Sequence, residues 1–156
     1  MEAMPTTANP RHTASRAIKA LPAAIYDAFV HREALERWLP PEGATGAIHA
    51  FEPRAGGRFS MTLTFASAPG KSSVDTDVVE GRFVELQPGR RIVQVVEFAS
   101  PDPDFAGAMT MTWTFTATPD GSFVTIVAED VPLGVSQADH ESGMASTLEN
   151  LARFVE

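Results

Sequence analysis

The sequence predicts an α+β fold: a curved antiparallel sheet of six to seven strands around a long C-terminal helix, with two short helices after the first strand. Three observations predict it. Six consecutive segments between residues 47 and 130 are bounded by turn residues, and the clearest alternate apolar and polar side chains. Two short helical segments precede them, after an isolated first strand. One long segment with a helical apolar period follows them. A sheet with one apolar face has to be covered, and a single long amphipathic helix is available to cover it, so the sheet is expected to curl around that helix.

Taken in order, residues 1–11 (MEAMPTTANPR) show no periodicity and are expected to form a flexible tail before a single domain over 12–156. His12–Ala20 alternates weakly and reads as the first strand. Pro22 suits the first turn of a helix, where its missing N–H has no intrahelical partner to lose. Ile25, Ala28 and Phe29 then stand at helical spacing within Ala23–Val30. A second helix, Arg32–Leu39, ends at Pro40-Pro41, because a residue before proline is pushed away from helical angles.

From Thr45 the period becomes two. Ala47–Glu52 and Arg58–Ala66 form a hairpin around Pro53-Arg54-Ala55-Gly56-Gly57. After the loop Ser67–Ser73 comes a long strand, Val74–Leu86, whose two faces both mix apolar and charged residues, so its register stays open. Gln87-Pro88-Gly89-Arg90 turns into the strand Arg91–Phe98. The loop Ala99–Gly107 precedes the strand in which Met109, Met111, Trp113 and Phe115 alternate with threonines. Asp120-Gly121 is a hairpin signal, and Ser122–Asp130 is the last strand. Beyond Pro132 and Gly134, Ser136 and Asp139 resemble a capping box. Met144, Leu148, Leu151 and Val155 then form the apolar stripe of the final helix.

Composition excludes several functions. The chain has no Cys, which removes disulfides, thiolate metal sites and a Cys nucleophile. Residues 1–91 hold eleven Lys/Arg against ten Asp/Glu, whereas residues 92–156 hold Arg153 alone against ten acids. Such a C-terminal part repels phosphate, so neither nucleic acid nor an anionic membrane surface is expected as a partner. No apolar run reaches the ~18–20 residues of a membrane span, and the N-terminus has no secretory apolar core, so a cytoplasmic protein is expected.

A curved sheet around one helix tends to leave a cavity, and the residues that would line it are apolar. From the sheet they are Phe59, Met61, Leu63, Phe65, Met109, Met111 and Trp113; from the helices they are Trp38, Met144, Leu148 and Leu151. The methionines stand out, because thioether chains adapt to apolar ligands of varied shape. Among polar candidates, His140 in the first turn of the last helix could pair with Glu129, Asp130 or Glu97 for acid–base work. His12 and His31 are expected in solvent, and His49 beside Phe51 could face the cavity. Asp75 and Asp77 put two carboxylates on one strand face, Cα atoms roughly 6.5–7 Å apart, and are expected to be solvated. No metal or cofactor is expected: no histidines are spaced for a helical zinc site, and Gly56-Gly57 lacks the Lys-Ser/Thr of a phosphate loop. No Gly-x-Ser-x-Gly elbow occurs either.

Several strings carry a resemblance: Arg37-Trp38-Leu39-Pro40-Pro41, Phe51-Glu52-Pro53-Arg54-Ala55-Gly56-Gly57-Arg58-Phe59, Gly81-Arg82-Phe83-Val84-Glu85-Leu86, Met109-Thr110-Met111-Thr112-Trp113, and His140-Glu141-Ser142-Gly143-Met144 with Leu148 and Leu151. Together they resemble the SRPBCC superfamily of START and birch-pollen-allergen type helix-grip proteins. Within it they are most similar to the branch related to the C-terminal domain of the activator of the heat-shock-protein-90 ATPase. Met144 stands where many members have tryptophan. The resemblance implies the helix-grip fold and a cavity, in a superfamily of lipid carriers, hormone receptors, polyketide cyclases and co-chaperone domains. Three functions follow as expectations: binding of a hydrophobic or amphipathic small molecule; a cofactor-free cyclase, dehydratase or hydrolase in the same cavity; or a module that binds a chaperone or pairs with a second copy through an edge strand.

Overall fold

Seven strands join into one antiparallel sheet in the order β1-β7-β6-β5-β4-β3-β2. The computed structural model describes residues 10–67 and 69–156; residues 1–9 of the expected tail lie outside the described residues. The strands are β1 (His12–Ile18), β2 (Ala44–Phe51), β3 (Arg58–Phe65), β4 (Thr76–Gln87), β5 (Arg91–Phe98), β6 (Met109–Thr118) and β7 (Gly121–Glu129). The helices are α1 (Pro22–Phe29), α2 (Arg32–Trp38) and α3 (Gln137–Val155), and a 3-10 turn covers Pro103–Phe105. Order, strand number and helix placement match the sequence expectation, with ends moved by a few residues. Pro22 opens α1, and Ile25, Ala28 and Phe29 are its buried residues, as their spacing demands.

The open register of β4 is resolved by an irregularity. Phe83 lies opposite Gln94 and Glu85 opposite Val93, so Val84 is an extra residue without a partner. A bulge of this kind shifts the alternation by one. Before it Asp77, Val79 and Phe83 are buried on the inner face; after it Leu86 packs on the core while Val84 is exposed. Gly81 lies in the same strand, and a Cβ there would overlap the Val95 carbonyl oxygen of β5, a close approach open only to glycine.

α3 starts as its sequence dictates. The Ser136 hydroxyl accepts the Asp139 N–H at 3.3 Å, and Met144, Leu148 and Leu151 are buried. The helix is held on both flanks. Along β1, Glu141 Oε2 accepts the Thr13 N–H at 2.9 Å and Glu156 Oε2 accepts the Lys19 N–H at 2.9 Å. On the other flank, Thr147 Oγ1 donates to the Leu39 carbonyl at 2.8 Å and Asn150 Nδ2 to the Pro40 carbonyl at 2.9 Å. Because β1 and β2 are the two edges of the sheet, α3 is gripped between one edge and the segment leading into the other.

Candidate functional site

The interior has two unlike ends. At the closed end α1 and α2 pack into the curl of the sheet. Phe29, Trp38 and Trp113 meet edge to face, with ring centroids 5.0 to 5.7 Å apart. This arrangement suits the charge distribution of aromatic rings. Trp38 Nε1 donates to the Ala28 carbonyl at 3.0 Å, tying α2 to α1. Trp113 Nε1 is buried and has no hydrogen-bond partner among the described residues. A buried N–H without an acceptor costs about 1–3 kcal/mol, so this atom is out of keeping with its tidy surroundings.

At the open end lie the starts of β1, β4 and β6, the ends of β3, β5 and β7, and the first turn of α3. Here the inner face turns polar. His12, the first residue of β1, lies opposite Ala128 and is 1% exposed. Its Nδ1 stands 2.8 Å from Nδ1 of His140 on α3. The two rings meet nearly edge to face, with centroids 5.1 Å apart. From the β3–β4 loop, Lys71 reaches in. Its N–H donates to Asp77 Oδ1 at 2.6 Å and its Nζ to Asp77 Oδ2 at 2.7 Å. The same Nζ stands 4.9 Å from the centre of the Phe98 ring. Asp77 is thus a buried carboxylate with both oxygens engaged.

Electrostatics follow from this placement. Burial, then the neighbouring His12 and Lys71, push the His140 imidazole down to about 4; Glu141 alone opposes them. Glu141 is itself held below the usual carboxylate range by the Thr13 N–H and by Gln137. In the same row of the inner face as this polar group, Met111 is only partly buried, although Met109 and Trp113, which flank it on the same face of β6, are 4% and 3% exposed. Met111 lies between Gln94 of β5 and Ala128 of β7, in the row of residues that leads to His12.

A family model described as Activator of Hsp90 ATPase homolog 1-like protein matches residues 19–156. The chain belongs to that family. Among solved structures, it is similar to a protein from Chromobacterium violaceum, with 30% identity and a TM-score of 0.83 over 94% of this chain and 96% of that one. A protein from Arthrobacter aurescens superposes with a TM-score of 0.76 at 14% identity, over 96% of this chain and 91% of that one. One from Mycobacterium smegmatis does so at 0.72 and 16%, over 92% and 89%. The latter two show the SRPBCC-type fold alone. No curated protein gives a significant match.

The apolar residues singled out in the sequence gather into one interior, with differences. Trp38, Phe59, Met61, Met109, Trp113, Met144, Leu148 and Leu151 are buried; Leu63 and Met111 pack against them partly exposed. Phe65 is half-buried at the open rim and stands apart from the core cluster.

The polar candidates are arranged otherwise than expected. Glu97, Glu129 and Asp130 are exposed and make no hydrogen bond or ion pair with His140. The partner of His140 is His12, which the sequence reading placed in solvent. The correction has a physical cause: His12 opens an edge strand that α3 covers, so a residue at the margin of the domain becomes interior. Its parity with Ala14 and Ile18 was the available signal. Asp77, also expected to be solvated, is buried because Lys71 folds back over it, while Asp75 remains exposed. His49 points outward and bonds Thr62 Oγ1 at 2.9 Å. Among the described residues, no three His, Asp or Glu side chains gather as a metal site. No helix among them is long and apolar enough to cross a membrane.

Proposed function

We propose that this protein binds a hydrophobic or amphipathic small molecule between the curled sheet and α3, through the open end of the interior. The observation that carries this reading is Met111: a central-strand side chain on the inner face that stays partly exposed between two buried neighbours. In a filled core such a position is buried, and the partial exposure of Met111 supports a ligand covering it. The partnerless Trp113 N–H, one alternation further in, adds a donor that a ligand acceptor could satisfy. The outer clefts are less suitable. One of about 410 Å³ lies between α2 and the end of α3, and one of about 440 Å³ lies under the β4–β5 turn; both are on the outside of the fold.

The test uses a neutral hydrophobic fluorophore, N-phenyl-1-naphthylamine. It is expected to bind the native protein saturably and to quench tryptophan emission by energy transfer. Met111→Trp, which fills the space, is expected to abolish that binding while leaving the thermal transition intact. Saturable binding that persists undiminished in Met111→Trp would place the ligand elsewhere and overturn the reading.

A further inference from the structure

Gln94 is set apart from the other polar residues of the inner face by what it lacks. It alternates along β5 with Ile92 and Val96, which are 0% and 4% exposed, so its side chain points into the curl of the sheet, where it is 6% exposed. Register places it between Phe83 of β4 and Met111 of β6. Four other buried polar side chains each have a partner. Asp77 holds Lys71, His12 meets His140, and Ser122 and Thr147 donate to the carbonyls of Ala20 and Leu39. The Gln94 carboxamide makes no hydrogen bond with a described residue. It is not sealed in either, because among the described residues Trp113 Nε1 is the one fully enclosed side-chain polar atom without a partner. The amide of Gln94 therefore borders accessible space on the inner face, beside the partly exposed Met111.

We infer that Gln94 is the head-group contact of the interior ligand, and that this ligand is an uncharged amphiphile ending in a primary amide. The ligand carbonyl accepts from Gln94 Nε2, the ligand N–H donates to Gln94 Oε1, and the apolar tail covers Met111. The inference rests on the reading of the interior as ligand space, and it names the class of ligand. Binding is non-covalent, and no proton changes owner.

The chemistry of the carboxamide selects this class. A glutamine head carries two N–H donors and an acceptor oxygen side by side, and leaving them unmade in a core is costly. Methionine, of similar length, would fill the same position without that cost. A ligand amide presents the complementary pair, so two parallel hydrogen bonds form at once. A ketone or ester satisfies Nε2 and leaves Oε1 bare. A carboxylate does the same and also brings a charge. Lys71, which reaches the inner face from the β3–β4 loop, is already paired with Asp77, so that charge would be buried without a counter-ion of its own.

The experiment is calorimetric titration of the full chain and of Gln94→Met with octanamide and with methyl octanoate, which keeps the carbonyl and lacks the N–H. The ratio of octanamide affinity to methyl octanoate affinity is expected to fall about tenfold in Gln94→Met, because the bond from ligand N–H to Oε1 is open to the amide alone. A glutamine with a purely structural role would leave that ratio where it was. In the unaltered protein saturated with octanamide, the ligand N–H protons should show nuclear Overhauser contacts to the Gln94 side-chain NH2 protons. This measurement needs no variant, so it decides even if Gln94→Met folds poorly. An unchanged ratio, binding of the ester alone, or absence of those contacts overturns the head-group assignment and leaves the interior ligand space standing. Failure of both molecules to bind overturns both.

Discussion

The two ends of the interior are built from the same sheet by opposite means. At the closed end three aromatic rings and two short helices fill the space with apolar contact, and the Trp38 N–H finds a carbonyl. At the open end the same inner face carries His12, Asp77 and Gln94, all buried, and a lysine folded in from a loop. Polar groups are expensive to bury, so a fold that needed only stability would place apolar residues there as well. The closed end supplies apolar burial; the open end gives part of it up for polar groups.

This contrast can be broken most directly by truncation. Trp38→Ala removes a fully buried ring from the aromatic cluster and is expected to destabilise by about 3–5 kcal/mol in urea unfolding. Met111→Ala, at the partly open position, should cost well under half of that. Equal losses would mean that the two ends are packed alike. Lys71→Met comes next: it leaves Asp77 buried with only a backbone donor, at a cost of about 1.5–3 kcal/mol, because Lys71 is itself partly exposed.

The third comparison is in pH. The unfolded chain protonates His140 near 6.5, whereas the native protein does so only at about 4. Between those values the unfolded state holds the extra proton, so stability falls as pH falls, by up to about 1.4 kcal/mol per unit. His140→Gln should flatten this part of the stability profile, and Trp38→Ala should leave its slope unchanged. Smaller still, Ser136→Ala is expected to cost about 1 kcal/mol through loss of the α3 cap. Trp113→Phe removes the partnerless N–H and should be neutral or stabilising by less than about 1 kcal/mol in thermal unfolding.

Legibility in the sequence followed how local each determinant is. The β6 alternation of Met109, Met111, Trp113 and Phe115, the Asp120-Gly121 turn, Pro22 at a helix start and the Ser136 cap all act within a few residues, and each appears in the structure as expected. The face of β4 was illegible because a bulge at Val84 joins two phases of alternation, each too short to read alone. The histidine pair was illegible for the opposite reason. His12 and His140 lie 128 residues apart and meet only because α3 lies along β1. Lys71 and Asp77 are close in sequence, yet only the loop geometry turns a pair that looks solvated into a buried one. The resemblance of strings such as Phe51–Phe59 reached the family but not this polar cluster.

The central claim is that the interior admits a ligand beside Met111 while the rest of the core stays packed. Methyl-labelled methionine gives the most direct view, since the six methionines include Met61, Met109, Met111 and Met144 in the interior. On titration with 1-decanol, the Met111 methyl resonance is predicted to shift saturably and by more than those of Met61, Met109 and Met144. A Met111 resonance that stays fixed to saturating decanol, or moves less than that of Met61, Met109 or Met144, would contradict it.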